Sequence, residues 1–410
     1  MKKILNLQPI HLLITMILLY SITAITPRLI SRYLTTYFYL GVMALCLLLL
    51  ILSYEKKLAD EYIFLMIPFF MWKIWVYLVS SPSLVYWVYG VILDFVPIMI
   101  GLSITRKLDY RSTKYFSIVI VLAVTVTMIT TYFGLLQYPN AARYIATVAD
   151  SNEALFVRYN MMNIGGYDFV YTTVLLYPLV IYAYKRGKIN LFWTVIIAVL
   201  ELIFIITSVY TTAFLLWIVS SIFIFFRKDL KVRNLVFVAI FAFIFVVGLS
   251  ELVSNGLKAI ADLVGNDDIS DRLYSLADGK TGLENADDNR WEVWTISFNE
   301  FIRHPLFGNM AYGGGGHSFF LDTLAEYGLF GGAMIGVMLV MIFRVFFSPY
   351  RNTKGYGYVV WMFIQVMILM VVNPTIWLYQ LCLYIPVLLA LINKGDTENE
   401  SAMGNQLGIA

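Results

Sequence analysis

Charged side chains are scarce in this chain. They make up 13 % of its 410 residues, where soluble domains carry nearer a quarter, while hydrophobic residues reach 60 % and the mean hydropathy is +0.78. That balance excludes a soluble globular domain and leaves a polytopic membrane protein. Cysteine is almost absent: Cys46 and Cys382 both fall inside apolar runs, which reads as packing rather than as a disulfide or a metal pair, and leaves the redox compartment open. Histidine is limited to His11, His304 and His317. No second histidine or cysteine stands at ligand spacing from His317, so neither a metal nor another cofactor is expected. The net charge is only +3, and the basic residues are spread over linkers instead of gathered in one patch, which argues against a nucleic-acid partner. The chain shows no internal repeat and no low-complexity tract.

What the chain has in quantity is apolar length. Runs of roughly 17 to 25 residues carry a helix across about 30 Å of hydrocarbon. About twelve occur, near 9–26, 36–53, 62–80, 84–104, 115–137, 167–184, 189–207, 210–226, 234–250, 319–343, 356–373 and 375–392. They predict an all-α, polytopic membrane bundle of about twelve transmembrane helices. Met1-Lys2-Lys3 precedes an apolar run with no small-residue cleavage site after it, which reads as an uncleaved first helix. The basic linkers Lys56-Lys57, Arg106-Lys107 with Arg111 and Lys114, Lys185 to Lys188, Arg227-Lys228 with Lys231 and Arg233, and Arg351 with Lys354 fall on alternate connections. By the positive-inside rule these are cytoplasmic, and so are both termini. The outer side then receives Arg28, Arg32, a loop over about 137–167 and a long segment over 251–318. One membrane domain is expected over 1–393, followed by a polar cytoplasmic tail, 394–410, without fixed structure. The connection from Ser208 to Thr212 reads either as a tight outer turn or as a buried break, which would need protein or a water-filled cavity over its backbone.

Most of the chemistry lies in the long outer segment. Asp262, Asp267, Asp268, Asp271, Asp278, Asp287 and Asp288 crowd its first part and keep it in water. Asn289-Arg290-Trp291-Glu292 has the form of a capping box and predicts a helix start. Trp291, Trp294, Phe298 and Phe301 follow at helical spacing on one predicted face, and His304-Pro305 ends the run. Four glycines, Gly313 to Gly316, then let the chain turn and deliver His317 to the start of the next apolar span.

Ionisable residues inside spans are expensive in hydrocarbon and are functional candidates by default. Lys73 and Asp94, on consecutive spans, can simply pair with each other. Glu201, lone near mid-span, has no reading. Asp322 and Glu326 stand four apart on one helix face beyond His317 and can share a cavity. Outer arginines run against the positive-inside bias. Arg143, Arg158 and Arg290 offer planar forks that match pyrophosphate oxygens, with salt bridges to nearby acids as the alternative. His317 is either a hydrogen-bonded interfacial residue or a catalytic one, and the glycine turn before it and the two carboxylates after it favour the second.

His317-Ser318, nine residues and Gly328-Leu329-Phe330-Gly331 resemble the pattern of the O-antigen ligase and polymerase family: a histidine followed by Asn, Ser or Gln, nine residues, then Gly-x-x-Gly. The Arg290-Trp291 helix and His304-Pro305-Leu306-Phe307-Gly308 resemble the arginine-bearing helix and the "hPlfG" stretch which that family places ahead of the motif. The resemblance implies a GT-C-like, metal-independent, inverting glycosyltransferase. Its expected partners are an undecaprenyl-pyrophosphate-linked oligosaccharide donor and acceptor at the outer face of a bacterial cytoplasmic membrane. It assigns catalysis to His317, Arg290 and Glu326, and substrate or pyrophosphate binding to Arg143, Arg158 and the motif's Ser318, to which Asp322 is added from its place on the Glu326 face. The motif serves polymerases and ligases alike.

The residues by themselves fit glycosyl transfer from a lipid pyrophosphate, which needs a cationic cradle for the leaving group and a base for the acceptor hydroxyl. The expectation is a Wzy-type polymerase that joins repeat units into capsular, exopolysaccharide or O-antigen-type polysaccharide, with a chain-length regulator admissible as a partner. The alternatives are a ligase that moves finished glycan to another acceptor, and a flippase or other transporter. A transporter would carry polar residues on both sides of the midplane, whereas here they gather toward the outer side.

Overall fold

A computed structural model describes residues 8–23, 32–52, 56–80, 83–139, 161–225, 250–263, 290–309 and 318–393, with a few single positions in the loops between them. Thirteen helices and no strand occur among the described residues. In chain order they are α1 (Gln8–Ile22), α2 (Arg32–Leu52), α3 (Lys56–Ser80), α4 (Leu84–Leu102, continued by a π turn to Lys107), α5 (Tyr110–Gln137), α6 (Tyr167–Lys185), α7 (Leu191–Ser208), α8 (Thr211–Phe225), α9 (Ser250–Leu263), α10 (Arg290–Arg303), α11 (Phe319–Ile342), α12 (Tyr356–Val372) and α13 (Gln380–Asn393). Eleven of the apolar runs coincide with helices. The run 234–250 and the tail 394–410 lie outside the described residues.

Four stretches, Leu84–Lys107, Tyr110–Gln137, Leu191–Ser208 and Phe319–Tyr350, are long and apolar enough to cross a membrane. Six shorter apolar helices pack with them. This is the architecture of a helical membrane protein. Helix starts follow local chemistry: the Asp109 carboxylate accepts from Ser112 N–H at 3.0 Å ahead of α5, and Asn190 Oδ1 accepts from Trp193 N–H at 3.1 Å ahead of α7. The bonds to Ser112 hold the Asp109 carboxyl below the usual carboxylate range.

At the centre stands α6, with twelve of its residues from Phe169 to Tyr182 buried. Its five tyrosines make it less apolar than its neighbours, and burial demands partners for their hydroxyls. Tyr177 pairs with Ser221 Oγ at 3.0 Å, and Tyr182 donates to Asn393 Oδ1 at 2.9 Å. Nearby, Gln380 Nε2 donates to Thr172 Oγ1 at 2.7 Å, and Gln365 Nε2 to Ser220 Oγ at 2.7 Å. Such bonds pin buried helices to each other where apolar packing alone would let them slide.

Three of the basic linkers share one end of the bundle. Arg106 donates to the Val345 carbonyl, Tyr182 reaches both Thr353 and Asn393, and His11 pairs with Ser112 at 2.9 Å. Arg106-Lys107, Lys185 to Lys188, Arg351 with Lys354, the start of α1 and the end of α13 are thereby brought to the same side. The opposite end holds the Ser208 to Thr212 connection, which is both tight and buried. Val209 takes a left-handed conformation (φ 59°) that β-branched residues rarely adopt, and it lies under Leu257 and Ala261 of α9, with Leu273 and Ala277. Protein from the segment after residue 250 therefore covers this backbone.

Lys73 and Asp94 form an ion pair, and Cys46 and Cys382 are free and fully buried. Glu201 is buried against Thr173, with one carboxyl oxygen unpaired.

Candidate active site

The site is built where α10 and the turn after it dock onto the first half of α11. The turn runs His304-Pro305-Leu306-Phe307-Gly308, closed by Gly308 N–H donating to the His304 carbonyl at 3.0 Å. Opposite it, α11 breaks at Gly328, whose φ of 66° and ψ of −168° interrupt the helical ladder. The N–H groups near that break find acceptors in the turn: Leu329 donates to the Pro305 carbonyl at 2.8 Å and Phe330 to the Leu306 carbonyl at 3.1 Å. Two stretches about twenty residues apart in sequence are thus one interlocked unit. Glycine is required on both sides of it. A Cβ at Gly328 would meet the Leu306 carbonyl oxygen at 2.4 Å, and one at Gly308, itself at φ 74°, would meet the Glu326 carbonyl at 2.4 Å.

One turn earlier, a polar node joins the two helices. Ser297 of α10, fully buried, donates to Asp322 Oδ1 at 2.8 Å and pairs with the Tyr312 hydroxyl at 2.8 Å. The other Asp322 oxygen accepts from Ser318 N–H at 3.2 Å, and Ser318 Oγ caps α11 by accepting from Leu321 N–H at 3.3 Å. Tyr312 and Ser318 flank the glycine run and His317. One end of that short connection is therefore tied to the Asp322 carboxylate directly and the other through Ser297. Asn309 adds a further tie, its N–H donating to the Ala325 carbonyl at 2.8 Å and its side-chain amide to Glu300.

The contacts Ser297 to Asp322 and Pro305 to Leu329 rise in the same order, so α10 and the start of α11 run in the same direction. Arg290 opens α10 two turns, about 10 Å, ahead of Ser297. Ser318 stands one turn ahead of Asp322. The first turn of α10 is accordingly brought to the end of the helix pair where the chain between Tyr312 and Ser318 is attached. Glu326 follows Asp322 by one turn and is half-buried beside the turn at Gly308. Ser318 and Asp322 thus share one polar node, with Glu326 one turn further along α11, and Arg290 enters the same helix pair through the backbone of α10. Arg158 stands in the 137–167 loop, exposed, bonded to the Tyr138 hydroxyl with its guanidinium 4.8 Å from the Tyr138 ring. His317 and Arg143 lie outside the described residues.

The aromatic face of α10 is unevenly covered. Trp294 and Ser297 are buried and Phe301 is half-buried, but Phe298 is 50 % exposed. The Ser297–Asp322 bond sets the rotation of the helix, and Phe298 lies about 100° around from Ser297. Ser297, Tyr312 and Asn309 were not foreseen from sequence. A serine inside an aromatic stripe two turns after Arg290 was the available signal.

No family model matches this chain, and no curated protein matches it either.

Proposed function

We propose that this protein is a metal-independent, inverting glycosyltransferase of GT-C-like architecture. In this reading it polymerises undecaprenyl-pyrophosphate-linked oligosaccharide repeat units at the outer face of a bacterial cytoplasmic membrane. It has about twelve spans, with the basic end of the bundle and both termini in the cytoplasm. Support comes from one arrangement: the two stretches that resemble the family's separate signatures, His304 to Gly308 and Gly328 to Gly331, are hydrogen-bonded to each other. Tyr312 and Ser318, on either side of the segment that carries His317, bond to Ser297 and Asp322 of the same helix pair. A shared fixture of this kind gives a physical reason for the spacing between the motif histidine and its glycines.

The chemistry runs as a displacement at the anomeric carbon of the donor. The acceptor hydroxyl attacks, the new glycosidic C–O bond forms, and the bond to the pyrophosphate oxygen breaks. His317 takes the hydroxyl proton, Arg290 receives the charge that develops on the leaving group, and Glu326 orients the histidine. Ser318 and Asp322 hold the histidine's end of the connection in place. Arg143 and Arg158, on the other outer loop, are assigned to the second lipid-linked substrate.

Deleting the gene and weighing the lipid-linked glycans tests this reading. A polymerase deletion accumulates single repeat units accessible from the outer side. Long chains left on the carrier lipid would instead indicate a ligase, and single units confined to the cytoplasmic face a flippase.

A further inference from the structure

The connection between α12 and α13 touches the start of α11. Asn373-Pro374 ends α12: a residue ahead of proline is driven into extended backbone, and Asn373 takes φ −142° and ψ 151°. Its carbonyl, turned out of the helical ladder, accepts from Phe319 N–H at 2.9 Å. That donor is one of the N–H groups at a helix start that have no partner within the helix. Ser318 N–H is held by Asp322. The two amides that follow His317 are therefore both fixed, one by α11 itself and one by a different connection.

Four residues on, that connection defies local preference. Trp377 caps the helical turn that leads into α13, its carbonyl accepting from Leu381 N–H at 3.0 Å. Short polar side chains on extended backbone are the usual choice there, whereas Trp377 is a bulky aromatic at φ 56°. Such a conformation persists only where the surroundings over-determine it. Here the surroundings are aromatic rings. Trp377 is fully buried, its ring stacked on Tyr167 at 6.2 Å between centroids and set edge-on to Tyr171 at 5.7 Å, and both tyrosines meet Tyr210. Tyr210 belongs to the Ser208 to Thr212 connection and donates to the Ala142 carbonyl at 3.0 Å. Neither the Trp377 indole N–H nor the Asn373 side-chain amide, both buried, has an acceptor. Strain and two unspent donors oppose this backbone path, and the ring wedge is what holds it.

We propose that Trp377 is a positioning residue for His317: its wedged ring fixes the connection whose Asn373 carbonyl binds Phe319 N–H, and so sets where the His317 segment enters α11. The tie stands on the contacts alone. Its role in the reaction rests on the reading above, in which His317 takes the acceptor proton.

The test follows the Phe319 amide by hydrogen–deuterium exchange mass spectrometry of purified full-length protein, with turnover measured on the same preparations. Trp377→Ala should speed exchange at Phe319 about tenfold, the effect of losing one such bond, while peptides from Val359 to Met370 inside α12 exchange as in wild type. In that variant kcat should fall about tenfold with KM little changed, and Trp377→Phe, which keeps a ring in the wedge, should recover part of both losses. Pro374→Ala, at an exposed position, releases Asn373 from the constraint of the proline. It should move both readouts in the same direction, and it carries the test if Trp377→Ala does not fold. Tyr210→Phe keeps its ring and should leave both readouts unchanged. Unaltered Phe319 exchange in whichever of the two variants folds overturns the tie. Faster exchange with wild-type kcat overturns the positioning role and leaves a structural contact. The glycosyltransferase reading fails separately: normal polymer in cells lacking the protein removes that reaction, and Trp377's part in it, while the exchange result still decides the tie.

Discussion

Replacing Gly328 by alanine probes the junction on which the site depends. At φ 66° and ψ −168° the residue sits in a region open in practice only to glycine, and forcing a side chain into such a region costs about 1–3 kcal/mol. The added Cβ would also stand 2.4 Å from the Leu306 oxygen and 2.5 Å from the Phe307 nitrogen, both backbone atoms with no rotamer to give way. The turn must therefore withdraw. The bonds from Leu329 to Pro305 and from Phe330 to Leu306 then weaken, at about 0.5–1.5 kcal/mol each. Together these terms amount to about 2–6 kcal/mol, a large share of the roughly 5–15 kcal/mol by which domains are stable. Gly336 is the internal control, since it lies on the same helix with nothing within 4 Å of an added Cβ. Alanine there should be neutral or stabilising by up to about 1 kcal/mol. Thermal unfolding of both variants in detergent, followed by size-exclusion chromatography, reads the difference, and polymer from cells carrying each variant reads the functional consequence. A Gly328→Ala protein with wild-type melting and wild-type polymer would refute the claim that turn and helix are locked through glycine.

Three further expectations concern individual side chains. Ser297→Ala removes a donor from the buried side of Asp322, a bond to a charged group worth about 1.5–3 kcal/mol. It should lower kcat at least tenfold with KM little changed, and Ser297→Thr should recover part of the loss; an unaltered kcat would reduce the node to packing. Arg290→Lys should lose most polymer, as Arg290→Ala does, because lysine keeps the charge without the planar fork; full polymer length in the lysine variant, measured by gel profile, would leave Arg290 as a general positive charge only. Removing one partner of a fully buried ion pair costs about 3–5 kcal/mol. Asp94 is about a third exposed, so Lys73→Met should cost less, about 1–3 kcal/mol. The double variant Lys73→Met with Asp94→Leu should recover melting temperature and polymer, and lost activity in a stable double variant would assign the pair to the site.

Much of the architecture was legible because it rests on local and one-dimensional signals. Apolar length located the helices, opposite charges on consecutive spans foretold the Lys73–Asp94 pair, and His304-Pro305 marked the end of α10. Features set by contact between distant segments were not legible in the same way. The stripe of Trp294, Phe298 and Phe301 gave the period of α10 but not its rotation, which shows in the Ser297–Asp322 bond and leaves Trp294 buried and Phe298 exposed. Whether the Ser208 to Thr212 connection was a turn or a break depended on what covers it, and the cover comes from α9, some fifty residues later. The partners of Asp322, Ser297 on one oxygen and the Ser318 N–H on the other, likewise come from a contact between segments that the sequence alone does not bring together. Tyr312, at the near edge of the glycine run, carried no sequence signal at all.

The central claim is that His317 acts in glycosyl transfer at the outer face, and one measurement bears on it most directly. A deletion strain complemented with His317→Ala, at protein levels matched to wild type, is analysed by mass spectrometry of its undecaprenyl-linked glycans, with outward accessibility scored by an impermeant glycan-modifying enzyme. The account predicts single repeat units on the carrier lipid, accessible from outside, and no lengthened polymer. Polymer of normal length and amount from that variant would contradict the role of His317, and long chains held on the carrier would contradict the polymerase reading itself.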